Sequence, residues 1–596
     1  MQIYKAPLND ISFLLHDFLD LTNNLKKLSN LELEVSDLEM IIEEAAKICE
    51  NILLPINQTG DAEGCSFKDG KVTTPQGFKE AYKNFSENGW QGIKVDQKYG
   101  GQNLPYFINM IVDELVSSSN MSFGLYPGLT SNAIDAIEKC ASEELKDLYL
   151  PKLTSGEWSG TMNLTEPQCG TDLGLTKTQA VLQNDSSYKI TGTKIFITCG
   201  EHDLSKNIIH LVLARTPNAP EGIKGISLFL VPKILPTIDG QLGAINSLEC
   251  GSIEKKLGIN ASPTCVMHYN DAKGWLVGDL HKGMKAMFVM MNGARLFVGV
   301  QGLGISEVAY QSALYYSKER LQGKSIDSKN IADPIIVHSE IRKNLLHMKS
   351  LNEGIRALVM WVGTQFDIIN LTKDENIKNN AENIIALMTP ILKSFASDVG
   401  CESANRAVQI YGGHGYVKDH GMEQLIRDSR IAPIYEGTNG IQALDLIGRK
   451  MHMKDGQVID SFFTLINEYL NEISTNKELE TFVVQFKKSF DDLVFVKKHI
   501  QSIDNNKINE TNGIAAEFLQ IFSYISIGLM WLKLLNISFK KNKIKPSKFY
   551  DAKIATGSYF FKKIIPTTTY LKEQILSGAS DHNDYKDIYF DSGFIL

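Results

Sequence analysis

Apolar positions along roughly the first 150 residues recur at helical spacing. Ser36 and Asp37 offer side-chain oxygens that suit a helix start, and Leu38, Ile41, Ile42 and Ala45 behind them fall on one face of a 3.6-residue period. A second helix is predicted over residues 107–118, after the turn-forming Tyr99-Gly100-Gly101-Gln102-Asn103-Leu104-Pro105. Near Gly156 the pattern changes. From there to about residue 275, short β-rich runs (188–198, 208–214, 226–231) alternate with turn residues, which predicts a small antiparallel barrel or sandwich. Between Gly283 and Lys450 the helical period returns with few breakers, as in a helix bundle. The polar Lys454-Asp455-Gly456-Gln457 then opens a fourth, again helical, segment. The fold class read from this pattern is α+β and multidomain: an N-terminal helical domain (1–155), a middle antiparallel β domain (156–280), a helical bundle (281–450) and a C-terminal helical extension (451–596). Without βαβ alternation, a Rossmann domain is not expected.

Composition narrows the function classes. The 596 residues are 43% hydrophobic and 22% charged, which is globular rather than disordered or fibrous. Sixty-nine acidic against 61 basic residues give a net charge of −8, so no global basic field favours nucleic acid or an anionic membrane. Eight scattered cysteines without a CxxC pair fit reduced thiols better than disulfides or zinc. The polar N-terminus lacks a secretory apolar core, so a cytoplasmic location is expected. The most apolar stretch, 518–537, is interrupted by Gln520 and Lys533 and reads as a buried helix, with no stable membrane insertion expected.

No HExxH, GxSxG or Walker A sequence occurs, and the 12 histidines do not cluster at metal spacing, so no metal site is expected. Tyr411-Gly412-Gly413-His414-Gly415-Tyr416 alone reads as a helix terminator. The ordered set is more specific. Leu164-Thr165-Glu166-Pro167-Gln168-Cys169-Gly170-Thr171-Asp172 opens the β region, and Lys194-Ile195-Phe196-Ile197-Thr198-Cys199-Gly200 follows. The helical region adds Glu319-Arg320, Gln409-Ile410-Tyr411-Gly412-Gly413 and Ile434-Tyr435-Glu436-Gly437-Thr438-Asn439-Gly440-Ile441-Gln442. In this order and context the chain resembles the acyl-CoA dehydrogenase family over residues 40–450. Tyr4-Lys5-Ala6-Pro7-Leu8 and the segment 549–556 resemble its long bacterial subgroup, which carries an extra C-terminal helical domain and acts on substrates such as 3-methylmercaptopropionyl-CoA.

The resemblance implies FAD-dependent α,β-dehydrogenation of an acyl-CoA to the trans-2-enoyl-CoA, on 3-methylmercaptopropionyl-CoA or a short- or medium-chain thioester. An α-CH beside a thioester is a very weak acid, so its base needs a sheltered site, and the developing enolate needs hydrogen-bond donors. By position in the motif, Glu436 is the implied base, with Tyr435 and Gly437 bordering the substrate. Leu164, Thr165, Phe196, Ile197 and Thr198 are implied contacts of the flavin ring, Phe196 standing where many relatives have Trp. Thr171, in place of the usual Ser, is implied to serve cofactor or substrate. Arg320, Gln409, Gly412, Gly413 and Thr438 are implied to hold the cofactor's phosphates. Arg295 is implied either to meet CoA or to pair with an acidic neighbour, and Gly293 and Ala294 on the same predicted helix leave room beside the acyl chain. The resemblance also implies an electron-transfer flavoprotein as acceptor and, through the extra domain, a homodimer. Two rivals share the motifs: an acyl-CoA oxidase, and a flavin-containing DNA-binding relative with little activity. The second expects a basic C-terminal domain, and here only the run Lys540, Lys541, Lys543, Lys545 and Lys548 is basic.

Overall fold

Short-range hydrogen bonds fix where the helices begin. The computed structural model describes residues 2–21, 34–504 and 506–593. The helix Val35–Ile48 starts one residue ahead of the expected caps, and the Asp37 carboxylate instead reaches back to accept from the Glu34 amide (2.9 Å). The predicted 107–118 helix is Tyr106–Ser119. Asn120 Oδ1 accepts from the Phe123 amide (2.9 Å) to open Met121–Cys140, and Ser142 caps Glu143–Thr154. The N-terminal segment is not wholly helical: β1 (Ser66–Lys68) and β2 (Lys71–Thr73) form a hairpin. Its turn is Asp69-Gly70, with φ +50° and +75°, the left-handed pair that such a two-residue turn demands.

The chain divides into two compact units. The first comprises Met1–Ala6, Ile41–Val308 and Val417–Ile431, the second Pro7–Met40, Ala309–Tyr416 and Ala432–Leu596. The first unit holds the sheet. Its strands are β3 (Trp158–Asn163), β4 (Gln179–Leu182), β5 (Tyr188–Thr198), β6 (Asn207–Arg215), β7 (Ile226–Pro232), β8 (Ile234–Pro236), β9 (Leu242–Ile245), β10 (Leu248–Ile253) and β11 (Thr264–Val277). Seven of them pair in the order β10-β11-β5-β4-β6-β3, with β7 bridging β11 and β6, while β8 and β9 form a separate pair.

This sheet corrects the expectation of a purely antiparallel domain, because β3 runs parallel to β6, from Trp158 opposite Asn207 to Asn163 opposite Val212. The reason is burial. Both strands are covered on both faces, and the long 164–206 connection gives the chain room to return in the same direction. Alternation along β6 then serves two cores. Ile209, Leu211 and Leu213 pack with Ile134, Ile137, Leu150, Leu153 and Trp158 on one side, and Val212 and Ala214 with Ile190, Phe229 and Val231 on the other.

The second unit is helical. The helix Ala515–Ile544 is apolar nearly all round and is accordingly wrapped by Ser339–Leu371, Glu375–Tyr411, Glu480–Ser502, Lys548–Tyr559 and Thr567–Ser577. The Trp531 indole donates to the Ser350 carbonyl (2.9 Å), and a Cβ on Gly354 would lie 2.5 Å from Ile527 Cγ2, so the helices approach closely here. The 451–596 extension therefore shares one compact unit with the 309–416 helices. Among the described residues three helices, Gly283–Glu319, Glu375–Tyr411 and Ala515–Ile544, are long and apolar enough to cross a membrane, and their apolar windows are 78–83% buried inside the chain.

One buried ionic cluster ties the N-terminal arm of this unit to its C-terminal part. Asp10 pairs with Arg356 Nη1 (2.7 Å) and with Lys553, whose Nζ also meets Glu353 Oε2 (2.8 Å). Burial works to raise the Asp10 carboxyl, but Lys553 and Arg356 override it and hold the group down at about 2.

Candidate active site

The site residues expected from the motifs fall into three sets. The first is in the β unit. Immediately after β3 the chain turns through Leu164-Thr165-Glu166, and Glu166, 3% exposed, is the pin of that loop. Its Oε1 takes the fully buried Lys194 ammonium (2.8 Å), the Thr178 hydroxyl (2.6 Å) and the Thr178 amide (3.0 Å), while Oε2 takes the Lys177 amide (2.7 Å). Burial alone would raise this carboxyl, yet Lys194 and these donors hold it ionised, at about 2. Lys194 also donates to the Leu164 carbonyl (2.9 Å), and the Ile195 amide to that of Thr165 (2.9 Å), so the loop is stitched to β5 on both sides of Thr165.

On β5 the register against β11 slips: Lys194 faces Met267 and Ile197 faces Cys265, so Ile195 and Phe196 together oppose Val266. Phe196 takes φ +57° in this bulge and its ring is 59% exposed. A bulge re-aims a side chain, and here it turns a large aromatic out of the sheet while its neighbour Ile197 stays in the core. Ile197 can thus offer a ligand only its backbone. Thr198 is held by the Thr161 hydroxyl donating to its carbonyl (2.7 Å). An exposed ring two residues before Thr198 on β5, a strand to which the Thr165 loop is hydrogen-bonded, fits a planar heterocycle with a hydrogen-bonding rim, as the flavin implied by the motifs requires. Thr171 lies exposed beyond the loop, and Arg295 is buried, at 6% exposure, within Gly283–Glu319.

The second set is at one end of the helical unit. Tyr316 and Tyr411 stack at 4.0 Å, Tyr316 Oη meets His414 Nδ1 (2.8 Å), and the Tyr411 hydroxyl donates to the Ser312 carbonyl (3.2 Å). These contacts hold the ends of two long helices together. Arg320 follows one of them and Gln409, Gly412 and Gly413 end the other, all exposed. A Cβ at Gly412 or Gly413 would meet nothing within 4 Å, so an exposed guanidinium and two open glycine backbones share one helix-bundle end, a donor set suited to phosphate oxygens.

The third set is the turn between Ile431 and the helix Asn439–Leu444. Glu436, half-buried, has φ +58°, a conformation that costs a non-glycine residue about 1–3 kcal/mol and persists only where the surroundings impose it. Gly437 follows at φ +83°, which glycine adopts freely. The Thr438 hydroxyl accepts from the Ile441 amide (3.3 Å) as the helix cap, leaving its own hydrogen to donate outward. Tyr435 is half-buried beside Glu436. Three further residues shape this turn and were not singled out from the sequence: Gln442, Asn439 and Lys393. Gln442 and Asn439 stood inside a motif without a role, as did Glu166 and Lys194 inside theirs; Lys393 carried no signal, since nothing local distinguishes a lysine that will be buried.

Sequence profiles of known domains match the chain in series. They are the acyl-CoA dehydrogenase N-terminal domain over residues 36–157, middle domain over 161–272 and C-terminal domain over 281–452, then the acetyl-CoA dehydrogenase C-terminal-like domain over 462–585. The 3-methylmercaptopropionyl-CoA dehydrogenase of Ruegeria pomeroyi is 40% identical over 94% of this chain and 96% of its own length. A butyryl-CoA dehydrogenase of Syntrophomonas wolfei is 32% identical over 94% of this chain and 95% of its own. Among solved structures, the FAD-complexed acyl-CoA dehydrogenase of Bacillus anthracis superposes with a TM-score of 0.74 over 91% of this chain and 88% of that one, at 22% identity, and shares the fold.

Proposed function

The chain belongs to the acyl-CoA dehydrogenase family, and on that premise we propose that Glu436 is the base and that the acyl group is short. The reaction is FAD-dependent dehydrogenation of an acyl-CoA. Bound FAD supplies the acceptor for the β-hydride. The protein's own part is to remove an α-proton at a fixed place, and the observation that carries the assignment is the turn itself: a carboxylate held on a constrained left-handed backbone between two anchored segments. Leu164, Thr165, Phe196 and Thr198 would hold the ring, and Arg320, Gln409, Gly412, Gly413 and Thr438 the phosphates. Tyr435 and Gly437 would border the thioester.

A polar cavity supports a short acyl group. It lies along the helix Gly283–Glu319 and is lined by Lys94, Asn109, Asp113, Asn132, Gly293 and Phe297 among others. Burial pushes the Asp113 carboxyl up to about 7 against the opposing pull of Lys94, and Asn109 donates to it (2.7 Å). Lys94 is itself paired with Asp135 (2.5 Å). With this helix beside the acyl chain, as the family resemblance implies, a long alkyl tail reaching this cavity would pack against Lys94, Asn109 and Asp113, polar groups to which it offers no hydrogen bond, and this disfavours long chains. The full-length similarity to the Ruegeria enzyme makes 3-methylmercaptopropionyl-CoA the first substrate to try. Turnover of a chain-length panel tests this. Butyryl- and 3-methylmercaptopropionyl-CoA are expected to exceed octanoyl-CoA in kcat/KM by about tenfold or more, and Asp113→Leu to shift the preference toward longer chains. A wild-type optimum at octanoyl or beyond would contradict the short-chain reading. The family resemblance further leads us to propose an electron-transfer flavoprotein as the acceptor, and a cytoplasmic homodimer.

A further inference from the structure

We propose that Gln442, with the Lys393–Asn439 pair behind it, is a positioning device for proton removal by Glu436; the inference rests on Glu436 being the base. The Gln442 side chain is fully buried, and its single amide nitrogen donates to two carbonyls, those of Glu436 (3.2 Å) and Gly437 (3.1 Å). These are the two left-handed residues of the turn. The other amide assignment would set oxygen against oxygen, so the orientation is fixed by its partners. Gln442 Oε1, meanwhile, is buried and has no hydrogen-bond partner among the described residues. An orphan acceptor is costly in the interior, and an apolar side chain of the same length would remove it. The amide nitrogen thus acts on the backbone of Glu436 and Gly437, the two residues that set the position of the carboxylate.

The far end of the turn is fixed independently. The Asn439 amide closes it onto the Pro433 carbonyl (3.0 Å). The Asn439 side chain then spreads over one face of the helix Glu375–Tyr411. Its Nδ2 donates to the Ser394 carbonyl (3.2 Å), Ser397 Oγ (3.0 Å) and Asp398 Oδ1 (2.8 Å), and its Oδ1 accepts from the buried Lys393 ammonium (2.9 Å). The turn is thus clamped at its apex by Gln442 and at its exit by Asn439. A glutamate carboxylate, carried on three rotatable bonds, would sample many positions from a loose turn; one whose Cα is fixed has only its own rotamers to lose.

The test isolates the proton step. An acyl-CoA with sulfur at the β position has no β-hydride to give, so exchange of its α-hydrogens for solvent deuterium, followed by NMR on the FAD-loaded enzyme, reads proton removal alone. Gln442→Met keeps the length, replaces the amide by an apolar thioether and loses both donors. Its exchange rate is expected to fall about 10- to 100-fold, with kcat falling in step. FAD content, KM and the affinity for the β-thia analogue are expected to stay within about twofold of wild type, since no ligand-binding group is removed. Asn439→Ser, which gives up the Lys393 and Asp398 contacts, is expected to lower exchange several-fold with the same unchanged affinities, and serves if Gln442→Met does not fold. Wild-type exchange in both variants, or a fall matched by equal loss of FAD and analogue binding, would overturn the inference. Glu436→Gln in parallel separates the two claims: if it exchanges like wild type the base assignment itself fails, and if it is silent while Gln442→Met and Asn439→Ser both exchange at the wild-type rate, only the positioning role fails.

Discussion

Replacing Glu166 by Gln leaves the Lys194 ammonium buried without its counter-charge, a loss that typically costs about 3–5 kcal/mol when one partner of a buried pair is removed. Denaturant unfolding at pH 7 is the measurement. The pH dependence has a definite sign. The Glu166 carboxyl lies at about 2 in the fold against an ordinary 4.5, so its contribution is complete above 4.5 and lost as pH falls toward 2. The gap between wild type and Glu166→Gln is therefore expected to narrow below pH 4.5, and a gap that widens would contradict the ion pair. Residues of this kind also mark the limit of what could be read from the chain. Glu436, Arg320 and the threonines at 165, 171 and 198 could be proposed from the chain because each stands in a contiguous motif. Gln442 and Lys194 gain their roles only when a turn or a neighbouring strand brings carbonyls or a carboxylate to them, and Ile197, expected against the flavin, faces inward because the bulge rotates Phe196 out.

Among the elements, helix type and place followed from periodicity, and the 107–118 helix differs by one residue at each end. The parallel β3–β6 pair was hidden because local alternation says nothing about which distant strand will be a neighbour, and the Asp69-Gly70 hairpin because its strands are only three residues each. The Asp10–Arg356–Lys553–Glu353 cluster was equally invisible, since it joins residues separated by up to 543 positions in the chain. It makes an element-level prediction. Lys553→Met strands Asp10 and Glu353 with one cation fewer between them and is expected to destabilise the helical unit by about 3–5 kcal/mol in thermal or chemical unfolding. Asp10, ordinarily near 3.8, is held at about 2, so its share is present above pH 3.8 and vanishes as pH drops toward 2. A variant as stable as wild type at neutral pH would show that the cluster does not latch the N-terminal arm.

For the whole molecule, the order α, β, α, α was legible throughout, but the grouping was not. Four successive segments fold as two compact units because Ala515–Ile544, apolar nearly all round, needs covering that no single segment supplies. The residues proposed for the reaction are spread along the chain in the same way: 164–198 for the flavin ring, 320 and 409–413 for the phosphates, and 436 as the base. What unites them is the chemistry, and one measurement addresses it. Titrating the FAD-loaded protein anaerobically with butyryl- and 3-methylmercaptopropionyl-CoA, beside Glu436→Gln, reads transfer of the substrate's electrons as loss of flavin absorbance. The account predicts prompt bleaching of the wild type and a rate lower by about four orders of magnitude or more in Glu436→Gln, at unchanged FAD content, the scale of loss seen when a catalytic unit's proton acceptor is removed. Bleaching at the wild-type rate by Glu436→Gln would contradict it.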